Sequence, residues 1–381
     1  MRLPLAALAT LCALSGGCSG AETSDIAQTK TEAAARDQNG ADTMASNDGA
    51  PSGETITDPQ QRPVMQMQVV LERLGFAPGV IDGKEGASLA NALKGFQEAR
   101  NLPVTGELDA ATRTALAEWS TIPATRVVTI PQEWGQIAFA TLPENPADQA
   151  KLKALAYESL IEKLSERFHT TPDVLAQLNP GGQPAGTGGA AAPQTMATPS
   201  VPAFAPGQTI RVPNVGVDRI DAVTVDNKEW VETLRSLGVG TDQPAAARLV
   251  VDESEGWLKA YDAADKLVAM FTVTTGSQHD PLPIGNWGIK GKAYNPPYAY
   301  DPALLRNAPA SNGKHQLPPG PNSPVGVVWI DLMKDHYGIH GTPSPETIGR
   351  AQSNGCVRLT NWDAARLAQM VSGSTKVEFR K

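Results

Sequence analysis

The stretch YGIHGTPSPETIGRAQSNGCVRLTN, residues 337–361, is the part of the sequence that most directly predicts the fold. Its first residues, Tyr337–His340, predict a short strand. Near its end, Thr360-Asn-Trp-Asp363 has the residues of a capping box and predicts a helix that ends at Gly373. Cys356 follows the predicted strand by sixteen positions, in a loop rich in Gly and Pro.

Cys356 has the neighbours that a nucleophilic thiol requires. A cysteine with an unperturbed pKa of about 8.5 is mostly protonated at pH 7, so it needs a base or a positive neighbour. Arg358 supplies the charge and His340 supplies a base. His336 is the competing base, because it shares a face with His340 if the strand forms. Gly355 allows a tight turn whose N–H groups can face a developing oxyanion.

Two other interpretations of Cys356 remain. It can be a buried structural thiol, with His340 as a hydrogen-bonded core histidine. A zinc site formed by His336, His340 and Cys356 is disfavoured, because no further Cys or His follows in the sequence. The other cysteines, Cys12 and Cys18, lie in a predicted export leader. In an exported protein Cys356 would then be buried and inert, linked to another chain, or reactive.

The sequence from Arg248 onward is typical of a mostly β domain with one late helix. Runs bounded by Asp, Glu or Gly predict strands at Leu249–Val251, Trp257–Tyr261, Leu267–Thr275 and Val325–Leu332. The connection Tyr294–Pro324 is rich in Pro and Gly, and a long loop without regular structure of its own is often functional. This loop is therefore a candidate functional element.

The stretch 337–361 resembles the active-site signature of the L,D-transpeptidases of the YkuD/ErfK type. The segments RLVVDESEGWLKAYD, TTGSQHDPLPIG and PPGPNSPVG are similar to other blocks of that family in the same order, so the resemblance covers Arg248–Phe379. It implies that Cys356 is the acylated nucleophile and that His340 is the base. It also implies that carbapenems, which mimic the acyl donor, acylate this sulfur.

The resemblance implies roles for further residues of the stretch. The residues expected to support the motif and to stabilise the oxyanion are Gly341, Ser353, Gly355 and Arg358. The residues expected to bind substrate are Tyr337, Thr342 and Asn354. Asn354 departs from the family pattern, which often has His at this position. The side chain at this position is not the base, so we expect the departure to affect the fine tuning of the site more than its activity.

The reaction that the resemblance implies is acyl transfer on bacterial peptidoglycan, from a tetrapeptide stem to an amine, without a cofactor or a metal. The acceptor is a second stem peptide or an outer-membrane protein. Two alternatives remain open. One is an L,D-carboxypeptidase or cross-link hydrolase of the same fold, in which water replaces the amine. The other is a catalytically inert peptidoglycan-binding lipoprotein.

Residues 63–120 predict a small three-helix bundle. Met67, Val70 and Leu71 have helical spacing, and Gly75 is a helix stop. The order VVLERLGFAPGVIDG…ALKGFQEARNLPVTGELDAATRTAL resembles the peptidoglycan-binding domain type 1, which implies binding to cell-wall polymer. A helical spacer is the alternative.

Residues 125–215 predict an α+β segment. A helix with Leu160, Leu164 and Phe168 on one face precedes a second helix, an Asn-Pro-Gly turn and the strand-like PGQTIRVPNV. This order resembles the second half of a LysM glycan-binding module. The first strand is indistinct, and a flexible insert at 181–206 interrupts the pattern, so a structural role and glycan binding both stay open.

Residues 1–18 predict a signal peptide of the lipoprotein type, in which Cys18 becomes the lipidated first residue. Ordinary cleavage near Ala21 is the alternative. Residues 19–62 lack aromatic side chains and predict a disordered tether. We therefore expect an exported, periplasmic protein attached to a membrane through a lipid anchor.

Length and charge agree with this organisation. A chain of 381 residues is long enough for two or three domains. Its net charge of −8, without a basic run, argues against a nucleic-acid partner. The sequence thus predicts a multidomain protein with a small three-helix bundle, a LysM-like α+β segment, and a mostly β, YkuD-like L,D-transpeptidase catalytic domain at 246–381.

Overall fold

The computed structural model describes residues 56–187, 203–216, 219–277, 279–305, 308–353 and 355–381. The predicted leader with Cys18, most of the predicted tether, most of the 181–206 insert, and Asn354 lie outside these residues. Within the described ranges, no helix has the length and apolar character needed to cross a membrane.

Three helices form between residues 63 and 120, as predicted. They are α1 (Pro63–Arg73), α2 (Ala87–Ala99) and α3 (Ala110–Leu116). Gly75 follows α1 with a φ of 94°, a backbone conformation that favours glycine and ends the helix. A strand that the sequence did not predict, β1 (Phe76–Ala77), lies between α1 and α2. We call residues 63–120 the helical segment.

Residues 125–215, here called the middle segment, form a two-stranded sheet with two principal helices between its strands. Its elements are β2 (Thr125–Thr129), α4 (Pro146–Gln149), α5 (Leu160–Arg167), α6 (Pro172–Leu178) and β3 (Thr209–Pro213). The strands pair antiparallel. β2 is the strand that was indistinct in the sequence, because only its first residue is fully buried and no alternating pattern results.

The C-terminal part consists of a helix, a large sheet, and a second helix packed on that sheet. The elements are α7 (Lys228–Leu237), β4 (Arg248–Asp252), β5 (Trp257–Tyr261), β6 (Leu267–Thr272), β7 (Gly285–Tyr294), β8 (Tyr298–Tyr300), β9 (His315–Leu317), β10 (Val328–Leu332), β11 (Gly338–His340), β12 (Val357–Arg358), α8 (Asn361–Met370) and β13 (Lys376–Arg380). The strand order of the large sheet is β1-β6-β5-β4-β13-β7-β10-β11-β12. The prediction of a mostly β domain with a late helix is confirmed.

Two details of the sequence prediction are corrected by the structure. The connection Tyr294–Pro324 does contain regular structure, because β8 and β9 pair antiparallel within it. The long strand β7 was missed, since most of its side chains are exposed or half-buried and Ile289 is its one fully buried residue. Its conformation is set by backbone pairing with β13 and β10 on its two sides.

The helical segment does not close a core of its own. β1 extends the large sheet by pairing parallel with β6, with Phe76 opposite Met270. α2 packs on this edge so closely that a Cβ at Gly95 would lie 2.8 Å from the sulfur of Met270. Phe96 belongs to the same buried cluster as Trp257 of β5. The helices that were predicted as a separate bundle therefore share the hydrophobic core of the sheet.

A buried group of charged residues joins all three parts of the chain. Glu72 comes from α1, His169 follows α5, and Asp363 and Arg366 lie on α8. Arg366 Nη1 is 2.7 Å from Glu72 Oε1. The two ring nitrogens of His169 face different carboxylates, with Nδ1 3.4 Å from Glu72 Oε2 and Nε2 3.6 Å from Asp363 Oδ2. This geometry favours an imidazolium shared between two carboxylates, which offsets part of the cost of burying them.

Candidate active site

The parallel pairing of β11 and β12 brings Cys356 and His340 to one place. Ile339 lies opposite Val357, and His340 lies opposite Arg358. Cys356 directly precedes β12, so by the same register it lies beside Gly338. Paired positions of neighbouring strands present their side chains to the same face of a sheet. The candidate nucleophile, the candidate base and Arg358 are therefore on one face.

His340 is held in a defined orientation. Its side chain is buried, and its ring stacks on that of Trp329 with 5.3 Å between ring centroids. Nδ1 lies 2.7 Å from the carbonyl oxygen of Gly341. A carbonyl oxygen can only accept, so Nδ1 carries the proton and Nε2 is left with its lone pair. Burial, with a contribution from the positive charge of Arg358, lowers the pKa of His340 to about 4.

Cys356 is half-buried and directly precedes β12. Its S–H faces the carbonyl oxygen of His336, with 3.8 Å between sulfur and oxygen. Burial raises the pKa of the thiol, while a backbone hydrogen bond from Gly338 and the charge of Arg358 act in the opposite direction. At pH 7 the group therefore rests as a neutral thiol beside a neutral imidazole.

Ser353 shapes the turn that precedes Cys356. Its hydroxyl donates to the carbonyl oxygen of Cys356 at 2.6 Å and accepts from the N–H of Gly355 at 3.2 Å. Gly355 has a φ of 101°, and a Cβ there would lie 2.8 Å from the ring of Tyr337. Since the N–H of Gly355 is engaged by Ser353, the expectation that it faces an oxyanion does not fit this conformation.

Arg358 is fixed through its backbone. Its N–H donates to the carbonyl oxygen of Thr274 at 2.8 Å, and its carbonyl oxygen accepts from Thr274 at 3.0 Å. Nε of its guanidinium is buried and has no hydrogen-bond partner among the described residues. Thr274 also accepts from the N–H of Gly349 at 2.9 Å. This buried threonine therefore holds both the loop and the strand that follow His340, a role that the sequence analysis missed.

Tyr298 was also not predicted from the sequence. This residue lies on β8, within the connection that was predicted to be functional. Burial raises the pKa of its phenol, and repulsion from an ionised Cys356 contributes to the increase. In the sequence Tyr298 is one of several aromatic residues in a Pro-rich run, and no spacing rule distinguishes it.

The remaining predicted residues lie around the site at different depths. His336 is exposed, precedes β11 with a φ of 67°, and approaches Cys356 through its carbonyl oxygen. It is not on the strand that was expected to place it beside His340. Thr342 is buried, and its hydroxyl accepts from the N–H of Ser344 at 3.3 Å. Tyr337 packs on the Gly355 turn.

Family comparisons agree with this fold. Residues 246–379 match the YkuD family model, described as an L,D-transpeptidase catalytic domain. We therefore call residues 246–379 the L,D-transpeptidase domain, after the model that they match. Residues 60–116 match a model described as a putative peptidoglycan binding domain. Both resemblances inferred from the sequence are confirmed, while the LysM resemblance of the middle segment stays a prediction.

Curated relatives of the L,D-transpeptidase domain come from several bacteria. The chain is 49% identical over 61 residues to the putative L,D-transpeptidase YkuD of Bacillus licheniformis, covering 16% of this chain and 37% of that protein. It is 31% identical over 118 residues to the putative L,D-transpeptidase YqjB of Bacillus subtilis, covering 30% and 60%. The chain thus spans 37% to 60% of the length of these relatives. An L,D-transpeptidase structure from Mycobacterium smegmatis is 20% identical, with 36% of this chain and 59% of that one covered and a TM-score of 0.30.

The burial of His340 predicts a pH dependence of stability. As pH falls, the unfolded chain protonates His340 near its ordinary pKa of 6.5, whereas the folded chain protonates it only near 4. Neutral His340 therefore stabilises the fold above pH 6.5, and this contribution is lost as pH falls from 6.5 to about 4. At about 1.4 kcal/mol per pKa unit, the loss is about 3 kcal/mol. Urea unfolding of wild type and His340→Gln at pH 7 and pH 4 measures it. Equal losses in the two proteins would contradict the prediction.

Proposed function

We propose that this protein is a cysteine-dependent L,D-transpeptidase that forms or remodels peptidoglycan cross-links. The observation that carries the proposal is the placement of Cys356 and His340 on one face of the β11–β12 pair, with His340 Nδ1 bound to Gly341. This leaves His340 Nε2 as a base toward the thiol. The matched L,D-transpeptidase and peptidoglycan-binding models support the substrate class.

The first half-reaction forms a thioester. Cys356 transfers its proton to His340 Nε2, and its sulfur attacks the carbonyl that joins the third stem residue, an L-centre of a diamino acid, to the terminal D-alanine. His340 then gives the proton to the leaving amine, and D-alanine departs. Because thiol and imidazole rest in their neutral forms, the thiolate forms only when substrate is in place.

The second half-reaction returns the free thiol. The amine of a second stem peptide attacks the thioester carbonyl, His340 removes a proton from that amine, and the sulfur of Cys356 leaves and regains the proton. The new amide is the cross-link. An outer-membrane protein is an alternative acceptor, since only an accessible amine is required.

The backbone and Arg358 provide electrostatic support. With the N–H of Gly355 engaged by Ser353, the N–H of Cys356 is the backbone donor that we assign to the oxyanion. Arg358 favours the thiolate through its charge. Its buried Nε offers a donor to a stem carboxylate, and the same guanidinium can stiffen the loop.

The helical and middle segments also bear on where in the cell the protein works. The putative peptidoglycan-binding match suits an exported, periplasmic protein that works on the cell wall. We propose that Cys18 carries a lipid anchor to a membrane. The middle segment either binds glycan or has a structural role.

Product analysis tests the reaction type. Purified protein incubated with tetrapeptide muropeptides is expected to yield cross-linked dimers by mass spectrometry. Tripeptide plus free D-alanine, without dimer, would instead assign an L,D-carboxypeptidase. Unchanged muropeptides, together with retained sedimentation on insoluble peptidoglycan, would leave an inert wall-binding protein. Cys356→Ala is the control, since it should give no product while it keeps the fold.

Substitutions test the two catalytic roles. A carbapenem is expected to add once to wild type at Cys356 and not to Cys356→Ala. His340→Ala should acylate about 10²- to 10⁴-fold more slowly, the usual cost of losing a general base. His336→Ala is the matched control, because it keeps the carbonyl oxygen that contacts Cys356 Sγ, and its rate should stay near wild type. Should His336→Ala be slower than His340→Ala, the assignment of the base is wrong.

Metabolic labelling tests the lipid anchor. Wild-type protein expressed in bacteria with a labelled fatty acid should incorporate the label and partition with membranes. Cys18→Ser should lose both properties, whereas Cys12→Ser, in the same predicted leader, should keep them. A mature wild-type protein that begins near Ala21 and carries no label would refute lipidation.

A further inference from the structure

Asn361 is the residue at which the middle segment meets the backbone beside His340. It is the first residue of α8 and only 1% exposed. Its side-chain oxygen accepts from the N–H of Val327 at 3.1 Å. Its side-chain nitrogen donates to Glu166 Oε1 at 2.7 Å and to the carbonyl oxygen of Pro321 at 3.0 Å. Every polar atom of this amide is therefore engaged.

The amide of Asn361 packs directly against Gly341. A Cβ at Gly341 or at Gly326 would collide with the Asn361 side-chain oxygen, so both positions must be glycine for the amide to fit. The carbonyl oxygen of Gly341 is the acceptor for His340 Nδ1. The orientation of the Gly341 peptide thus determines whether His340 carries its proton on Nδ1, and Asn361 restricts that orientation.

Glu166 determines which way the Asn361 amide points. It lies on α5 of the middle segment, buried against the L,D-transpeptidase domain. One of its oxygens accepts from Asn361, and the other accepts from the hydroxyl of Tyr157 at 2.7 Å. Burial raises the pKa of Glu166 to about 7. When the carboxyl is protonated, Oε2 can carry the proton toward Tyr157, so Oε1 accepts from the amide nitrogen of Asn361 in either state and directs the amide oxygen toward Val327 and Gly341.

We propose that Glu166 is a positioning residue for His340, acting through Asn361 and Gly341. The proposal rests on the proposed role of His340 as the general base. It makes the middle segment part of the support of the active site, whether or not that segment binds glycan. Because Asn361 also has Pro321 as a partner, loss of Glu166 weakens the orientation of the amide and does not remove the amide from the site.

Kinetics of three variants test the proposal. Glu166→Ala is expected to lower kcat about 10- to 100-fold with KM unchanged, the scale on which a misplaced catalytic group lowers a rate. Glu166→Gln keeps an oxygen acceptor for Asn361 and should retain activity within about threefold. Glu162→Ala is the matched control. Glu162 lies one turn earlier on α5 and accepts from Asn322 of the L,D-transpeptidase domain at 2.6 Å. Its loss should leave kcat unchanged.

The tautomer of His340 gives a readout that a purely structural role would not change. With ¹⁵N-labelled histidine, the wild type and Glu162→Ala should show the Nδ1–H form of His340, whereas Glu166→Ala should show a mixture of both tautomers. Glu166→Asp keeps the carboxyl group but withdraws it by one methylene. It should behave like Glu166→Ala, and it replaces that variant if the alanine protein does not fold.

The possible failures are distinguishable. Equal losses of kcat in Glu162→Ala and Glu166→Ala would show general loosening of the interface and overturn the positioning role. An unchanged tautomer and kcat in Glu166→Ala would also overturn it, while Cys356→Ala remains inactive and His340→Ala remains slow. Full activity of His340→Ala would overturn the proposed function itself.

Discussion

The parallel pairing of β11 with β12 is the constraint on which the site depends. Parallel strands cannot be joined by a tight turn, so the chain leaves after His340 and returns only at Cys356. β12 has two residues, and it is held between β11 on one side and Thr274 on the other. The connecting loop is fixed to the same region, since the N–H of Ser353 donates to the carbonyl oxygen of Thr275 at 2.8 Å. The spacing of thiol and imidazole thus follows from backbone hydrogen bonds.

Burial then sets the resting chemistry of the pair. It raises the pKa of Cys356 and lowers that of His340, so each group is held in its neutral form. Arg358 favours the thiolate but disfavours imidazolium, and it therefore does not by itself create an ion pair. A neutral thiol is less readily oxidised, because the thiolate is the reactive species. In the proposed reaction, the proton moves when a bound acyl donor can react with the thiolate.

Local signals in the sequence predicted much of this architecture, and long-range contacts account for what they missed. The N-cap of the predicted helix is present, with Thr360 Oγ1 accepting from the N–H of Asp363 at 3.0 Å. β1 was missed because two residues form a strand only where β6 offers an edge. Glu166 was missed because a polar residue on an amphipathic helix normally faces water, and its partner Asn361 lies 195 positions later. No spacing rule connects residues at that separation.

The first turn of α8 contacts both other parts of the chain and so explains why the three parts pack into one structure. Asn361 binds Glu166 of the middle segment, and Asp363 lies beside His169, which in turn faces Glu72 of the helical segment. Burying these charges is unfavourable unless all partners are present, so each segment stabilises the others only in this arrangement. A wall-binding segment on a flexible linker would raise the local concentration of substrate and nothing more. Here the matched segment shares a core and a buried ionic network with the domain that carries Cys356, so polymer bound to it would approach the site from a fixed direction.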